Sequence, residues 1–531
     1  MFYALLLIGL VSSAGALIAL FPARRGVLAT LVYPVGWLAG ELCYYSALAE
    51  LVLTLAYVAG WHPAGWHLDV AVAVGALSLG LELTLLGALL VPRRLVVRAL
   101  SEHPLGLSVP GPREIRPGSL ARSASLIPLH PRELVRAADL AYGPHPRQRL
   151  DLWRTSRTPS GAPVILYLHG GAWTFGDKRE QGRPMLHEFA AAGWVVVTAN
   201  YRLAPRDPWP AQIQDAMRVL GWIKRNARAY GADPGRVVVS GGSAGGHLAA
   251  LLALTSQEET WRPADVPGVS DWDIAGAISL YGVLEMTGDE RHWSGLGAGL
   301  RRLLEDRVVQ VPFEQDPERY RAMSPLSRVH EAAPAFLVVQ GTTDTLVDVN
   351  VARGFVQRFA EVALAPIYYL ELPLTQHTFD LTASARTSAV TRAALAFAES
   401  VAPPSPPPSV WRTYRQAASG LRVQVQGEWL EATEAAARLG AFGVVLADNP
   451  ASRRLSEEEN ARRREALEAV LGARGVTRQP ARVERRGEWP EERGVAVCGR
   501  APDFLRALAR AFGQAGLYLV SAEGVIELVA A

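Results

Sequence analysis

From Met1 to Val91 the only charged side chains are Arg24, Arg25, Glu41, Glu50, Asp69 and Glu82. Few folds in water offer so little charge to their surface, so this stretch is predicted to lie in a bilayer. Phe2 to Phe21 is uncharged and matches the ~20 residues that cross a hydrocarbon core. A second span is best placed at Trp37 to Val58, inside a Leu28 to Gly60 stretch too short for two spans and a turn, and a third at Val70 to Val91, interrupted by Glu82. The first run lacks the basic n-region of a signal peptide and is followed by further apolar runs, so three spans are expected. Arg24 and Arg25 follow the first span and Arg93, Arg94 and Arg98 the third. The Trp61 to Asp69 loop, with His62 and His67, has neither Lys nor Arg. The positive-inside rule then puts the amino terminus outside and everything after Arg93 in the cytoplasm of a multi-pass inner or plasma membrane protein. Glu41, Glu50 and Glu82 are read as interhelical hydrogen-bonding or span-end groups, in preference to an intramembrane polar site.

The mean hydropathy of +0.10 is therefore an average over unlike parts. With 54 basic against 51 acidic residues the net charge is +3, which carries no nucleic-acid footprint. Cys43 and Cys498 are too few for a disulfide framework, and no His/Cys/Asp/Glu set has metal-ligand spacing, so no metal or cofactor is expected. Residues 92–136 are rich in Pro, Arg and Ser and read as a juxtamembrane connector with room for a short amphipathic helix. Across 137–402 short apolar runs alternate with helix-length segments: Val164–Leu168, Val195–Thr198, Val237–Ser240, Ala277–Leu280, Ala335–Gln340 and Pro366–Glu371. That rhythm predicts an α/β domain, a mostly parallel sheet with helices on both faces. Pro403 to Ser409 is expected to form neither helix nor central strand and marks a stiff linker, after which 410–531 has the size of a small α+β domain.

The strongest chemical signal is Val237-Val-Val-Ser-Gly241-Gly242-Ser243-Ala244-Gly245-Gly246, a β-branched strand running into Gly-x-Ser-x-Gly and then an alanine- and leucine-rich helix. Gly241 and Gly245 permit a turn too tight for side chains, which raises Ser243 at the sheet edge beside a helix N-terminus. A serine needs a base, and an acid and a histidine follow in the order Ser, Asp, His. Asp344 lies in the loop after the Ala335–Gln340 strand and His377 in the loop after the next. Asp348 is the competing acid, and Asp344 is favoured. Upstream, Val164-Ile-Leu-Tyr-Leu-His169-Gly170-Gly171-Ala172-Trp173 brings two glycines to the end of a buried strand, where backbone N–H groups can face a developing oxyanion.

These stretches, with Asn200-Tyr-Arg-Leu-Ala-Pro205, Trp209-Pro210 and Asp215, resemble the hormone-sensitive-lipase-like branch of the α/β-hydrolase carboxylesterases. The resemblance covers about Ala137 to Val401. It implies Ser243 as nucleophile, His377 as general base and acid, Asp344 as its orienter, and Gly170, Gly171 and Ala244 as oxyanion hole, with His169, Gly241 and Gly245 supporting the motifs. Two positions depart from the family pattern: Ala172 replaces a third glycine, and Gly242 replaces an acid before the serine. The Leu284 to Pro334 insertion, together with the segment before Leu150, is expected to cap the pocket, and Trp173 and Phe175 to favour a modest apolar acyl group.

Residues 410–531 resemble a small bacterial domain family of unknown function. Ser456 and Glu459 have capping-box spacing, and Trp489, Glu491 and Asn449 are candidate ligand contacts in a binding or regulatory module. The leading expectation is a membrane-anchored serine carboxylesterase acting on a small-molecule or lipid-derived ester. The alternatives are an acyltransferase or amidase on the same triad, and a non-catalytic membrane-bound ligand sensor.

Overall fold

A run with few polar side chains satisfies its backbone groups most simply within itself, and the opening of the chain does so as helices. These are α1 (Phe2–Leu20), α2 (Gly26–Ala59) and α3 (Trp66–Leu90), followed by the short α4 (Pro92–Ser101). The computed structural model describes residues 2–23, 26–59, 66–101, 134–266, 268–293, 297–404, 407–450, 454–484 and 490–531. Arg24, Arg25, His62, the prolines from Pro104 to Pro131 and Trp489 lie outside the described residues. Two segments are long and apolar enough to cross a membrane, Leu31–Ala56 of α2 and Val72–Leu100 running through α3 into α4, while Leu6–Leu20 of α1 is apolar but shorter. Of the three spans expected, two thus meet the criteria of length and hydropathy. Glu50 takes the interhelical role read for it, accepting a hydrogen bond from Ser78 of α3 at 2.7 Å. The amphipathic α4 buries Val96 and Leu100 in the core of the domain that follows.

That domain is an eight-stranded sheet: β1 (Leu134–Ala141), β2 (Arg149–Thr155), β3 (Ala162–Leu168), β4 (Val195–Ala199), β5 (Ala232–Gly242), β6 (Gly276–Leu280), β7 (Ala335–Gly341) and β8 (Ile367–Leu372), in the order β1-β2-β4-β3-β5-β6-β7-β8. β2 is antiparallel to both of its neighbours, and the strands from β4 across to β8 are parallel. The helices are α5 (Arg183–Ala191), α6 (Ala211–Asn226), α7 (Ala244–Thr255), α8 (Gly297–Leu303), α9 (Pro317–Met323), α10 (Val349–Val362) and α11 (Ala385–Val401). β3, β4, β6 and β7 are buried along their whole length, which is why they read as unbroken apolar runs. The result is an α/β-hydrolase sheet with one apolar core on each face.

Two expectations need correction. Within the segment before Leu150, residues 134–141 form the sheet's edge and not a cap: β1 pairs with β2 and starts within the expected connector. A register shift between Ala137 and Leu140 breaks its period-two pattern, which hid the strand. The linker is also shorter than expected. A helix, α12 (Pro408–Ala417), begins at Pro408, because proline at the first helical position loses no hydrogen bond.

After α12 come β9 (Leu421–Val425), β10 (Glu428–Glu431), α13 (Ala432–Leu439), β11 (Phe442–Leu446), α14 (Glu457–Gly472), β12 (Arg478–Val483), β13 (Glu492–Cys498), α15 (Pro502–Ala511), β14 (Gly516–Val520) and β15 (Ile526–Ala530). Its sheet is antiparallel, in the order β10-β9-β12-β13-β11-β14-β15. Ser456 and Glu459 form the capping box of α14. Leu364 of the eight-stranded domain packs into this domain's core, and Arg510 pairs with Asp273 at 2.9 Å.

The turn from β5 into α7 runs so close to β3 that a Cβ on Gly245 would stand 2.0 Å from the Leu168 carbonyl oxygen. The carbonyl belongs to backbone and the Cβ is fixed by its own, so neither yields. Gly245→Ala is expected to cost about 3 kcal/mol or more of stability, read as a lower Tm of the full-length protein. Gly299→Ala, where a Cβ would meet nothing within 4 Å, should leave the Tm unchanged or raise it slightly.

Candidate active site

Ser243 sits between β5 and α7 with φ 55 and ψ −122, a conformation that non-glycine residues seldom adopt. Its N–H donates to the Leu280 carbonyl at 2.9 Å, which fastens the turn to β6. The glycines around it are required by space: a Cβ on Gly241 would be 2.4 Å from the Gly245 carbonyl, and one on Gly242 would be 2.5 Å from the Tyr281 hydroxyl. The Tyr281 contact explains why no acidic side chain precedes this serine. Ser243 itself is half-buried at the head of α7.

The loop leaving β3 runs through three successive positive-φ residues, Gly171 (119), Ala172 (50) and Trp173 (59). Gly170 lies against the serine turn, where a Cβ would be 2.8 Å from the Gly242 carbonyl oxygen. One expected donor is occupied: the Gly170 N–H donates to Gln181 Oε1 at 2.7 Å. Among the described residues, the N–H groups of Gly171, Ala172 and Ala244 meet no protein acceptor. His169 braces this loop, donating from Nδ1 to the Gly170 carbonyl at 2.7 Å and stacking on Tyr201 at 4.3 Å. The Tyr201 hydroxyl in turn donates to the His169 carbonyl at 2.8 Å, and Arg202 beside it forms a forked pair with the buried Asp215. Burial pushes the His169 imidazole down to about 4, so it is neutral at physiological pH.

Trp173 is a core residue and not the pocket wall expected, with only 1% of its surface exposed. Its Nε1–H donates to His247 Nδ1 at 3.1 Å, and His247 Nε2–H donates to the Met323 carbonyl at 2.8 Å. His247 thus ties the glycine loop to the end of α9, in the insertion expected to cap the pocket. Phe175, in contrast, is 63% exposed.

Across the sheet edge, His377 Nδ1–H donates to Asp344 Oδ2 at 2.7 Å, which leaves Nε2 as the acceptor nitrogen. The same Asp344 oxygen accepts from Gln340 Nε2 at 2.9 Å, and Oδ1 accepts the N–H groups of Leu346 and Val347 at 2.8 and 2.9 Å. Four donors hold this carboxylate in one orientation. Asp348 turns away and caps α10 through the Asn350 N–H. Gln376 laces the two loops together, its Oε1 accepting from the backbone N–H of both Thr345 and His377. The Tyr281 ring meets the His377 imidazole edge-on at 4.6 Å, and its hydroxyl donates to Asp380. Burial pushes Asp380 up to about 6.

Sequence reasoning missed Gln181, His247, Gln340, Gln376, Tyr281 and Asp380. Their neighbours in sequence were the signal for some of them: His247 directly follows the Gly241 to Gly246 stretch, Gln340 ends a strand read as apolar, and Gln376 and Asp380 flank His377. In the last domain Asn449 is buried and spends its side chain on Leu455, Asn460 and Glu492. Glu491 lines a cavity of about 370 Å³ in which Arg482 stacks on Trp429 at 4.4 Å.

Esterase LipC of Mycobacterium tuberculosis (strain ATCC 25618 / H37Rv) is 37% identical over 274 residues, which are 51% of this chain and 67% of LipC. The chain belongs to this family of carboxylic ester hydrolases. The same organism's probable carboxylic ester hydrolase LipM is 39% identical over 258 residues and its esterase LipQ 37% over 269, matches that span 48% and 50% of this chain. The chain spans 59% and 62% of the length of those two curated relatives. Within the esterase domain the BD-FAE family profile matches residues 150–359, and a family described as a protein of unknown function (DUF3293) matches 445–517.

Burial also pushes His247 down to about 4. An unfolded chain binds a proton at an ordinary histidine near ~6.5, before the folded protein does at this one, so stability falls as pH drops from about 6.5 toward 4. His247→Gln keeps a donor and an acceptor without the titration. It is expected to make that acid limb shallower in a plot of Tm against pH, the share of His169 remaining, while lowering Tm little at pH 7.5.

Proposed function

We propose that the protein is a membrane-anchored serine esterase that hydrolyses short-to-medium acyl esters through an acyl-enzyme. The observation that carries this reading is the 2.7 Å hydrogen bond of His377 to Asp344 on the same sheet edge as the strained Ser243 turn. With Nδ1 donating to Asp344, Nε2 of His377 takes the proton of Ser243 Oγ as that oxygen attacks the ester carbonyl. Negative charge then gathers on the carbonyl oxygen, and the unspent N–H groups of Gly171, Ala172 and Ala244 are its donors, in a site where each such donor is worth ~2.7–4 kcal/mol. His377 returns the proton to the departing alcohol. Water, deprotonated by the same imidazole, attacks the acyl-enzyme and frees Ser243.

Asp344 contributes by orientation and charge, holding the tautomer that exposes Nε2 as base. The helices α1 to α3 serve as the anchor, with the esterase domain on the cytoplasmic side, a topology supported by the arginines after the first and third apolar runs.

The test exposes the full-length protein to a fluorophosphonate and to p-nitrophenyl esters of graded chain length. Ser243→Ala should abolish labelling and lower kcat by about 10⁵-fold or more, and Asp344→Asn should lower kcat by roughly 10⁴-fold at similar KM. Ester release that persists in Ser243→Ala would sink the reading. For the topology, a reporter fused after Arg98 is expected to respond as cytoplasmic.

A further inference from the structure

Tyr33, Trp37 and Glu41 recur at four-residue spacing and therefore share one face of α2. That face is turned to the esterase domain, whereas Leu31, Val35 and Leu38 are exposed. The Tyr33 hydroxyl is hydrogen-bonded to Thr378 Oγ1 and lies 3.5 Å from the His377 carbonyl oxygen. One turn on, Trp37 Nε1–H donates to the Thr378 carbonyl at 3.1 Å. The Tyr33 ring stands edge-on to the His377 imidazole, with centroids 6.4 Å apart at 71°. One further turn on, Glu41 pairs with Arg386 of α11, both side chains 1% exposed. The first part of α2 is therefore fitted to the segment that carries the histidine.

The backbone of that segment needs such support. Thr378 is held at φ 53 and ψ 32, the left-handed region that β-branched residues avoid. A strained residue of this kind persists only where its surroundings over-determine it. Here α2 engages both the side chain and the carbonyl of Thr378.

We propose that Tyr33 and Trp37 are positioning residues for His377: by clamping Thr378 they hold the imidazole in register with Asp344 and Ser243, so the site is complete only while α2 is docked. This rests on the reading of Ser243, His377 and Asp344 as the triad. It makes the anchor part of the catalytic apparatus, and it places the dependence in turnover more than in binding of a small ester.

The test uses full-length protein, p-nitrophenyl butyrate and a fluorophosphonate, with Tyr33→Phe, Thr378→Val, their combination and Thr378→Ser. Each of the first two removes the same hydrogen bond without removing bulk. Each is expected to lower kcat by about 10-fold while KM moves less than about 2-fold, since a slightly misplaced base costs rate before affinity. The double variant should lose no more than the worse single one, because one bond cannot be lost twice. Labelling of Ser243 should slow in parallel, and Thr378→Ser, which keeps the hydroxyl, should retain the wild-type kcat. Wild-type turnover in Tyr33→Phe, losses that multiply in the double variant, or a fall in folded protein with unchanged kcat per labelled site would each overturn the proposal. Failure of the wild type itself to label at Ser243 would overturn the triad reading, and this proposal with it.

Discussion

Two backbone segments cross at the carboxyl edge of the large sheet more closely than any side chain allows. Gly245 passes under the Leu168 and His169 carbonyls, and Gly170 lies against the Gly242 carbonyl, at separations where a Cβ would fall 2.0 to 2.8 Å from backbone atoms. The crossing is what brings the glycine loop after β3 beside the serine turn after β5. Because the contact is backbone on backbone, it leaves the N–H groups of Gly171 and Ala244 fixed before any substrate arrives. In the mechanism we propose, donors aimed in advance cost no reorganisation at the moment charge develops, which is the condition for electrostatic catalysis. The surrounding polar groups keep the arrangement rigid. His169 and His247 are buried and neutral: His169 donates to the Gly170 carbonyl of its own loop, and His247 spends both nitrogens, on Trp173 of the glycine loop and on Met323 of the insertion.

The opposite half of the site is built by saturation. Asp344 accepts four hydrogen bonds, two of them from the backbone of its own loop, so its carboxylate has no competing orientation in which to settle. Gln376 then couples that loop to the next through two backbone N–H groups. Tyr281 closes the circuit, filling the space beside Gly242 on one side and meeting His377 on the other. A glycine before the serine and a tyrosine after β6 are thus one adaptation written in two places.

Chain pattern reveals the parts of this design that are local. The central parallel strands read as apolar runs because both faces are buried, and Ser243, Asp344 and His377 stand in the loops where those strands end. β2 escapes notice because Asp151 is buried within it, compensated by Arg136, Lys178 and Arg179 from elsewhere in the chain. The engagement of the Gly170 amide is likewise invisible, since Gln181 reaches it from eleven residues away out of a loop with no pattern. Trp173 reads as a pocket residue from its place in the motif, yet its indole is spent on His247, a partner that only the packing of α7 supplies. The contact of α2 with Thr378 joins residues more than 340 positions apart, and no periodicity encodes it.

The ion pair of Glu41 with Arg386 bears on how that contact is kept. Two charges taken out of water gain little net stability from each other, and an apolar pair of similar volume would often do as well. Removing one partner, however, strands the other at a cost of about 3–5 kcal/mol. A one-turn slip of α2 along the domain does the same thing, moving Glu41 about 5.4 Å from its partner while the apolar residues around it find equivalent neighbours. Apolar packing between helices is tolerant of such slips, as is the exposed surface of Leu31, Val35 and Leu38. The ion pair is not. It fixes the one register in which Tyr33 and Trp37, two turns and one turn before Glu41, fall opposite Thr378, and so converts a general affinity between helix and domain into a defined position for His377.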